Sequence, residues 1–119
     1  MDAEQYKKVQ AVVMDLARQG DTAQLAEFLD HGVSVDEQDD AGNSLLMLAA
    51  YHGRADTVAL LVSRGANPDL CNQRDQSPIA GALFKGESDV VALLKQAGAD
   101  LDAGTPSARQ AAAMFGRQL

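Results

Sequence analysis

The sequence predicts an all-α solenoid made of stacked helix-turn-helix units, and three observations support this fold class. Segment 36–68 returns as segment 69–101, and 11 of its 33 positions carry the same amino acid in both. The returning residues are glycines, apolar residues at helical spacing and polar residues that can cap helices. A fixed period of about 20–50 residues is typical of repeat architectures, in which each unit packs on its neighbours.

Composition agrees with small helices that pack closely. Apolar residues make up 46% of the 119 residues, but aromatic residues only 4%, and there is no Trp. The core must therefore come from Ala, Leu and Val. This apolar content is normal for a globular chain and argues against disorder, and the length suits one domain with a continuous core.

The chain is acidic, with a formal net charge of −7 and a pI of about 4.5. Because a negative surface repels phosphate backbones, nucleic-acid binding is disfavoured. The charge favours a basic partner weakly, and solubility is the simpler interpretation. A single cysteine, Cys71, permits no internal disulfide and fits a reducing compartment, so we expect a cytoplasmic protein. We find no signal peptide and no membrane-spanning run.

The first unit, residues 3–35, is predicted to form an N-terminal cap repeat. A helix over 3–19 ends at Gly20, and a second over about 22–31 ends at Gly32. Each glycine precedes its counterpart, Gly53 or Gly65, by one full repeat period. The extra N-terminal turns are polar, as the end of a repeat array requires.

The two central units, 36–68 and 69–101, each predict an antiparallel helix pair. In the first, Ser44 is placed to cap a helix over 45–52, and a second helix covers 56–64. In the next unit, the first helix begins with Ser77-Pro78, because proline suits the first helical position, and the second covers about 88–97.

The C-terminal segment, 102–119, predicts a truncated cap. Its connector is shorter than the others, since Ser107 follows Asp102 more closely than Ser44 follows Asp36. One helix over about 106–115 remains, and no second helix follows.

Together these features make the chain resemble the ankyrin-repeat family over about residues 11–117. The resemblance is carried by the glycine spacing, by Ser77-Pro78, and by the paired leucines and Gly-Ala-Asn/Asp ends of the second helices, at Leu60-Leu61, Leu93-Leu94, Gly65-Ala66-Asn67 and Gly98-Ala99-Asp100. It implies one domain over 1–119, an ankyrin-repeat solenoid of three helix pairs plus a C-terminal half-repeat, with short hairpin-like fingers. In that family, the fingers and first helices form a concave surface that binds other proteins.

The chain departs from the family pattern at several positions. The motif histidine is replaced by Met47, Ala80 and Gln110, so its hydrogen-bond network is absent. The finger glycine, present as Gly42, is Asp75 in the next unit, where aspartate tolerates a left-handed turn better than most residues. Gly81 lies inside a helix and should cost about 1 kcal/mol relative to alanine.

The resemblance leaves some positions without a structural role, and we predict that these bind the partner. They are Gln38, Asp40, Asn43, Tyr51, His52, Cys71, Gln73, Arg74, Gln76, Phe84, Lys85, Met114 and Phe115. Among them Tyr51, Phe84 and Met114 occupy equivalent places on successive first helices and should form an exposed stripe that anchors a partner. In the alternative interpretation, they fill gaps between neighbouring helices.

Other chemistry is poorly supported. The acidic run Asp36–Asp40 could steer a basic partner or be a solvated finger tip, and it is not a calcium loop because Ala41 stands where that loop needs glycine. His31 and His52 have no ligand cluster beside them, so we expect no metal and no cofactor. We find no catalytic motif and predict no enzyme.

The sequence therefore predicts a monomeric, non-enzymatic protein-interaction module, an adaptor or regulator that binds a protein on its concave face. The alternative is a dedicated inhibitor, such as an immunity-type protein that neutralises a basic toxin or enzyme. The acidity and small size of the chain motivate this alternative.

Overall fold

Seven helices follow one another with almost no extended structure between them. The computed structural model describes all 119 residues. The helices are α1 (Ala3–Gln19), α2 (Thr22–Asp30), α3 (Leu45–Tyr51), α4 (Ala55–Ser63), α5 (Pro78–Lys85), α6 (Ser88–Gln96) and α7 (Ala108–Phe115). The first helices α1, α3, α5 and α7 pack side by side in one row, and α2, α4 and α6 form a second row behind it. The predicted all-α solenoid of three helix pairs and a half-repeat is confirmed. The division into units at residues 36, 69 and 102 stays a prediction.

Buried serines explain where three of the first helices begin. The hydroxyl of Ser44 accepts a hydrogen bond from the Met47 amide at 2.9 Å, and the equivalent Ser77 and Ser107 do the same for amides three residues on. Each serine thereby satisfies a backbone donor that has no partner inside its own helix. The last helix begins at Ala108, two residues later than predicted, because Ser107 is its cap and lies outside it.

The core is a continuous apolar layer that runs between the two rows. Helix α3 lies at its centre, between α1 and α5 and in front of α4. Every residue from Leu45 to Ala50 is buried, which a helix achieves only when neighbours cover it on several sides. The end helices are less enclosed, and α7 buries only Ala108, Ala111 and Ala112.

The connectors form the predicted fingers, and an acceptor side chain folds each of the two longer ones. Oδ1 of Asp39 accepts hydrogen bonds from the amides of Ala41 and Asn43, and Oδ1 of the equivalent Asn72 accepts from those of Arg74 and Gln76. Asp75 adopts the left-handed conformation predicted for it, with φ of 59°. The fingers therefore keep one shape although their sequences differ.

Polar links also join the beginning of each central unit to its end. The Asp36 carboxylate accepts a hydrogen bond from the Asn67 amide at 2.8 Å, and Asp69, its equivalent, accepts from the Asp100 amide at 2.7 Å. These bonds join each unit's connector to the end of its second helix, where the following connector begins. A returning aspartate thus has a structural role, in fixing how one unit leads into the next.

Gly81 marks the closest approach between α3 and α5. A Cβ atom at this position would lie 2.9 Å from Cε of Met47 and 3.7 Å from Cδ2 of Tyr51. Met47 replaces the motif histidine and is only 5% exposed, so its side chain fills the space that a larger residue at 81 would need. The glycine inside α5 is therefore paired with the methionine inside α3.

This pairing predicts that the effect of Gly81→Ala depends on residue 47. In the natural chain, the gain in helix propensity of about 1 kcal/mol should be offset by the contact with Met47, leaving the free energy of unfolding nearly unchanged. In a Met47→Leu background, which lacks the terminal methyl, Gly81→Ala should raise it by about 1 kcal/mol. Urea denaturation of the four proteins measures both values. Equal changes in the two backgrounds would show that the close approach does not explain the glycine.

Candidate protein-binding grooves

The fingers and the first row of helices enclose two adjoining grooves on the concave side. The finger groove, about 420 Å³ in volume, lies between the finger bases and α3, and its walls include Arg18, Asn43, Tyr51, Asn72 and Arg74. The helix groove, about 350 Å³, runs across α3, α5 and α7 over Tyr51, Phe84 and Met114. Met47, Tyr51 and Gln76 border both grooves, so the two form one continuous surface.

Aromatic rings on successive first helices are in contact with one another. The rings of Tyr51 and Phe84 stack with 6.4 Å between their centroids and an angle of 9°, and Phe115 meets Phe84 edge-on at 5.4 Å. Phe84 is 55% exposed and Phe115 is 38% exposed, while Met114 beside them is 66% exposed. The three positions of the predicted stripe thus border one groove, and Phe115 makes the ring contact on α7.

Arg18 extends this row at its N-terminal end, and the prediction from sequence missed it. It precedes Tyr51 by one repeat period, so it occupies the same place on α1 that Tyr51 and Phe84 occupy on α3 and α5. Extending the period backwards through the first unit would have found it. Its guanidinium contacts Asp15 at 2.7 Å and Asp39 at 3.8 Å.

Three amide side chains form a ladder along the finger groove. Nδ2 of Asn72 donates to Oδ1 of Asn43 and to Oε1 of Gln76, both at 2.8 Å. Asn43 and Gln76 were predicted as partner-binding residues, and Asn72 was not. Its role in folding the finger could have been inferred from the equivalent Asp39, whose acceptor oxygen serves the same purpose.

The remaining predicted residues differ in their exposure and in the hydrogen bonds that they make within the chain. Gln38 is tied into its own finger, because Nε2 donates to the Gly42 carbonyl at 2.8 Å. Gln73 is exposed, but its amide donates to the Ala41 carbonyl and so joins two fingers. Asp40 is exposed at a groove between α1 and the first finger, which Lys7 and Asp15 also border. His52, Arg74 and Lys85 are exposed at or beside the grooves.

The electrostatic surroundings of His52 are positive. Its pKa is lowered below the ordinary value of 6.5, first by desolvation and then by the charges of Arg54, Arg18 and Lys85. Lys85 also places its Nζ 5.0 Å from the centroid of the Tyr51 ring, in a cation–π contact. The charges that surround His52 are therefore opposite in sign to the net charge of the whole chain.

Cys71 has the surroundings of an unreactive thiol. Burial raises its pKa, and the neighbouring carboxylates of Asp75 and Asp69 raise it further. Since the thiolate is the nucleophilic form, both effects lower its reactivity. The chain has no cluster of three or more His, Cys, Asp or Glu side chains that could hold a metal ion. None of the helices is long and apolar enough to cross a bilayer.

A row of paired helices with a concave groove beneath projecting fingers defines a helical repeat protein with a surface for recognition. A family model described as "Ankyrin repeats (3 copies)" matches residues 13–105. The chain belongs to the ankyrin-repeat family, as its sequence pattern predicted. Ankyrin repeats are in general non-enzymatic protein–protein interaction modules.

One curated relative shares part of the chain. A segment of 48 residues is 50% identical to a Pseudomonas aeruginosa protein named "Putative ankyrin repeat protein PA3287". This segment covers 40% of the present chain and 28% of the relative. The match therefore spans little more than a quarter of that protein's length.

The positive surroundings of His52 predict that its pKa depends on one nearby lysine. Replacing Lys85 by Gln removes a neighbouring cation, so protonation becomes easier and the pKa should rise toward 6.5. NMR titration of the imidazole signals measures the change. The control is Lys95→Gln, which removes an equal charge from α6 and should leave the pKa of His52 unchanged, since Lys95 is not among the charges that act on His52. An unchanged value in Lys85→Gln would contradict the positive field at the groove.

Proposed function

We propose that the chain acts as an adaptor or regulator by binding a partner protein on the surface formed by the finger groove and the helix groove. The observation that carries this proposal is the row of the half-buried Tyr51 and the exposed Phe84, Phe115 and Met114. Large apolar side chains exposed together are uncommon on a monomer unless they bind something. Three of the chain's six exposed large apolar residues lie in this row.

The geometry of the row suits recognition by a rigid surface. Ring-to-ring contacts hold Tyr51, Phe84 and Phe115 against one another, so little side-chain entropy remains to be lost on binding. Aromatic residues also supply a large share of the binding free energy at protein interfaces. The mechanism is recognition, with no chemical step.

The alternative use of these residues is packing between first helices. Tyr51 partly fills such a packing role, since its ring lies 3.7 Å from the position that a Cβ atom at Gly81 would occupy. Phe84 contributes much less to packing, because more than half of its surface is exposed. The exposure of Phe84 favours binding as its main role.

The double substitution Tyr51→Ala/Phe84→Ala tests the proposal. We expect it to abolish capture of the partner from a native lysate, as detected by mass spectrometry, while the helical circular dichroism and cooperative melting persist. The control is Val12→Ala, which truncates an exposed apolar residue on α1 outside both grooves. Loss of folding in the double variant would support the packing role, and undiminished capture would contradict the binding role.

The dedicated inhibitor is the second candidate function, favoured by the acidity and small size of the chain. A neighbouring gene for a basic secreted toxin would favour an inhibitor, whereas capture of several unrelated partners would favour an adaptor. A metabolite screen by thermal shift separates both from a ligand-binding or catalytic protein, because a bound ligand raises the melting temperature. We expect that screen to be blank. The cytoplasmic location and the monomeric state stay predictions.

A further inference from the structure

The walls of the finger groove differ in charge from the rest of the chain. The sequence contains 17 Asp and Glu residues, yet none of them borders this groove. Arg18, His52 and Arg74 do border it. Lys85 lies beside it, over the Tyr51 ring. The lowered pKa of His52 favours its neutral form. The formal charge at the groove therefore comes from Arg18, Arg74 and Lys85, and it is opposite in sign to the net charge.

Two of these cations have no carboxylate partner within the chain. Arg18 is engaged with Asp15 and Asp39. The other ion pairs use Arg64 and Arg109, so Arg74 and Lys85 are left unpaired. Unpaired guanidinium and ammonium groups at the rim of a groove are available for charge-assisted hydrogen bonds, which are stronger than neutral ones.

The hydrogen-bonding capacity that remains in the groove consists mainly of donors. Within the amide ladder, Oδ1 of Asn43 and Oε1 of Gln76 both accept from Asn72. Oδ1 of Asn72 accepts from two backbone amides of its own finger. The NH₂ groups of Asn43 and Gln76 donate to no atom of the chain, so a ligand rich in acceptors would complement the groove.

The field at His52 agrees with this polarity. The three charges that lower its pKa are all cations, belonging to Arg54, Arg18 and Lys85. Asp15 and Asp39 offset part of the Arg18 charge, but remote acidic residues act weakly here because screening at physiological salt acts over about 8 Å. The molecule is 45 Å long, so its ends lie several screening lengths apart.

We propose that the finger groove binds an acidic segment of the partner protein, whose Asp or Glu carboxylate meets Arg74 and the amides of Asn43 and Gln76. An apolar side chain close to that carboxylate then lies on Tyr51 and Phe84 in the adjoining helix groove. This inference rests on the proposed function, since it specifies the partner of the same surface. It differs from the basic partner predicted from net charge, because a basic segment would meet cations and spare donors in the groove.

Selection of random unphosphorylated peptides on the purified whole chain, by phage display, tests the charge of the occupant. We expect the enriched peptides to carry a net negative charge with one or two large apolar residues. The best peptide, made synthetically, should lose about tenfold or more in affinity when its Asp and Glu residues become Asn and Gln. Fluorescence anisotropy measures that loss.

Matched charge reversals locate the binding site. The variant Arg74→Glu/Lys85→Glu should lose binding of the acidic peptide by about tenfold or more, since each reversal replaces attraction by repulsion. The control Lys8→Glu/Lys95→Glu changes the net charge equally at exposed positions outside both grooves and should bind normally. Equal losses in the two variants would show a general charge effect and overturn the proposal.

Other outcomes separate this inference from the proposed function. Basic or neutral peptides that require Tyr51 and Phe84 would overturn the acidic occupant and leave the concave binding surface intact. Another outcome is that acidic peptides bind the variants Tyr51→Ala/Phe84→Ala and Arg74→Glu/Lys85→Glu as tightly as they bind the natural chain. That result would overturn both the acidic occupant and the concave binding surface. No enrichment at all would also overturn the acidic occupant. Self-association that Arg74→Glu abolishes in sedimentation would place a second copy of the chain in the groove instead.

Discussion

The structure depends on the lateral packing of one helix pair against the next. No pair is large enough to enclose its own apolar side chains, and residues 45–50 of α3 become buried only because α1 and α5 lie on either side of them. Since apolar packing is not directional, polar contacts fix both the geometry within each unit and the register between units. Asp36 and Asp69 each accept a hydrogen bond from the backbone at the end of their unit, and the Gln73 amide joins two fingers. Because equivalent bonds recur in successive units, each unit is related to the next in nearly the same way. Side chains at equivalent positions therefore form rows.

The row through residues 18, 51, 84 and 114 shows what such repetition does to a surface. Its N-terminal member is an arginine and the others are aromatic or a methionine, so polarity changes from charged to apolar along one line. The fingers lie beside the charged end of the row, and α7 lies at its apolar end. An acidic protein thus presents a groove whose local field is positive. Net charge describes the field far from the molecule, whereas a bound segment experiences the side chains within one screening length.

The sequence by itself determined the fold, because its repetition, caps and apolar spacing all act locally and agree with one another. Ser44, Ser77 and Ser107 cap their helices through amides three residues away, and Asp75 takes the left-handed turn within its own finger. The end of α5 at Gly86 follows from the same local rules. Most candidate groove residues could also be chosen this way, since position within a unit fixes which side a residue faces.

Only the tertiary structure decided which of those residues remain available to a partner. Gln38 and Asn43 look equally free in the sequence, yet Gln38 bonds within its finger and Asn43 keeps two donors in the groove. Likewise, the sequence shows Gly81 only as a residue that destabilises α5, whereas the structure shows that Met47 occupies the space beside it. Charge showed the same division, because the net charge follows from the sequence, whereas the arrangement of units places the unpaired Arg74 and Lys85 at one groove. Apart from the bond of Gln38 within its finger, these outcomes depend on contacts between successive units. Such contacts join residues about a whole repeat apart in sequence, and spacing alone does not specify them.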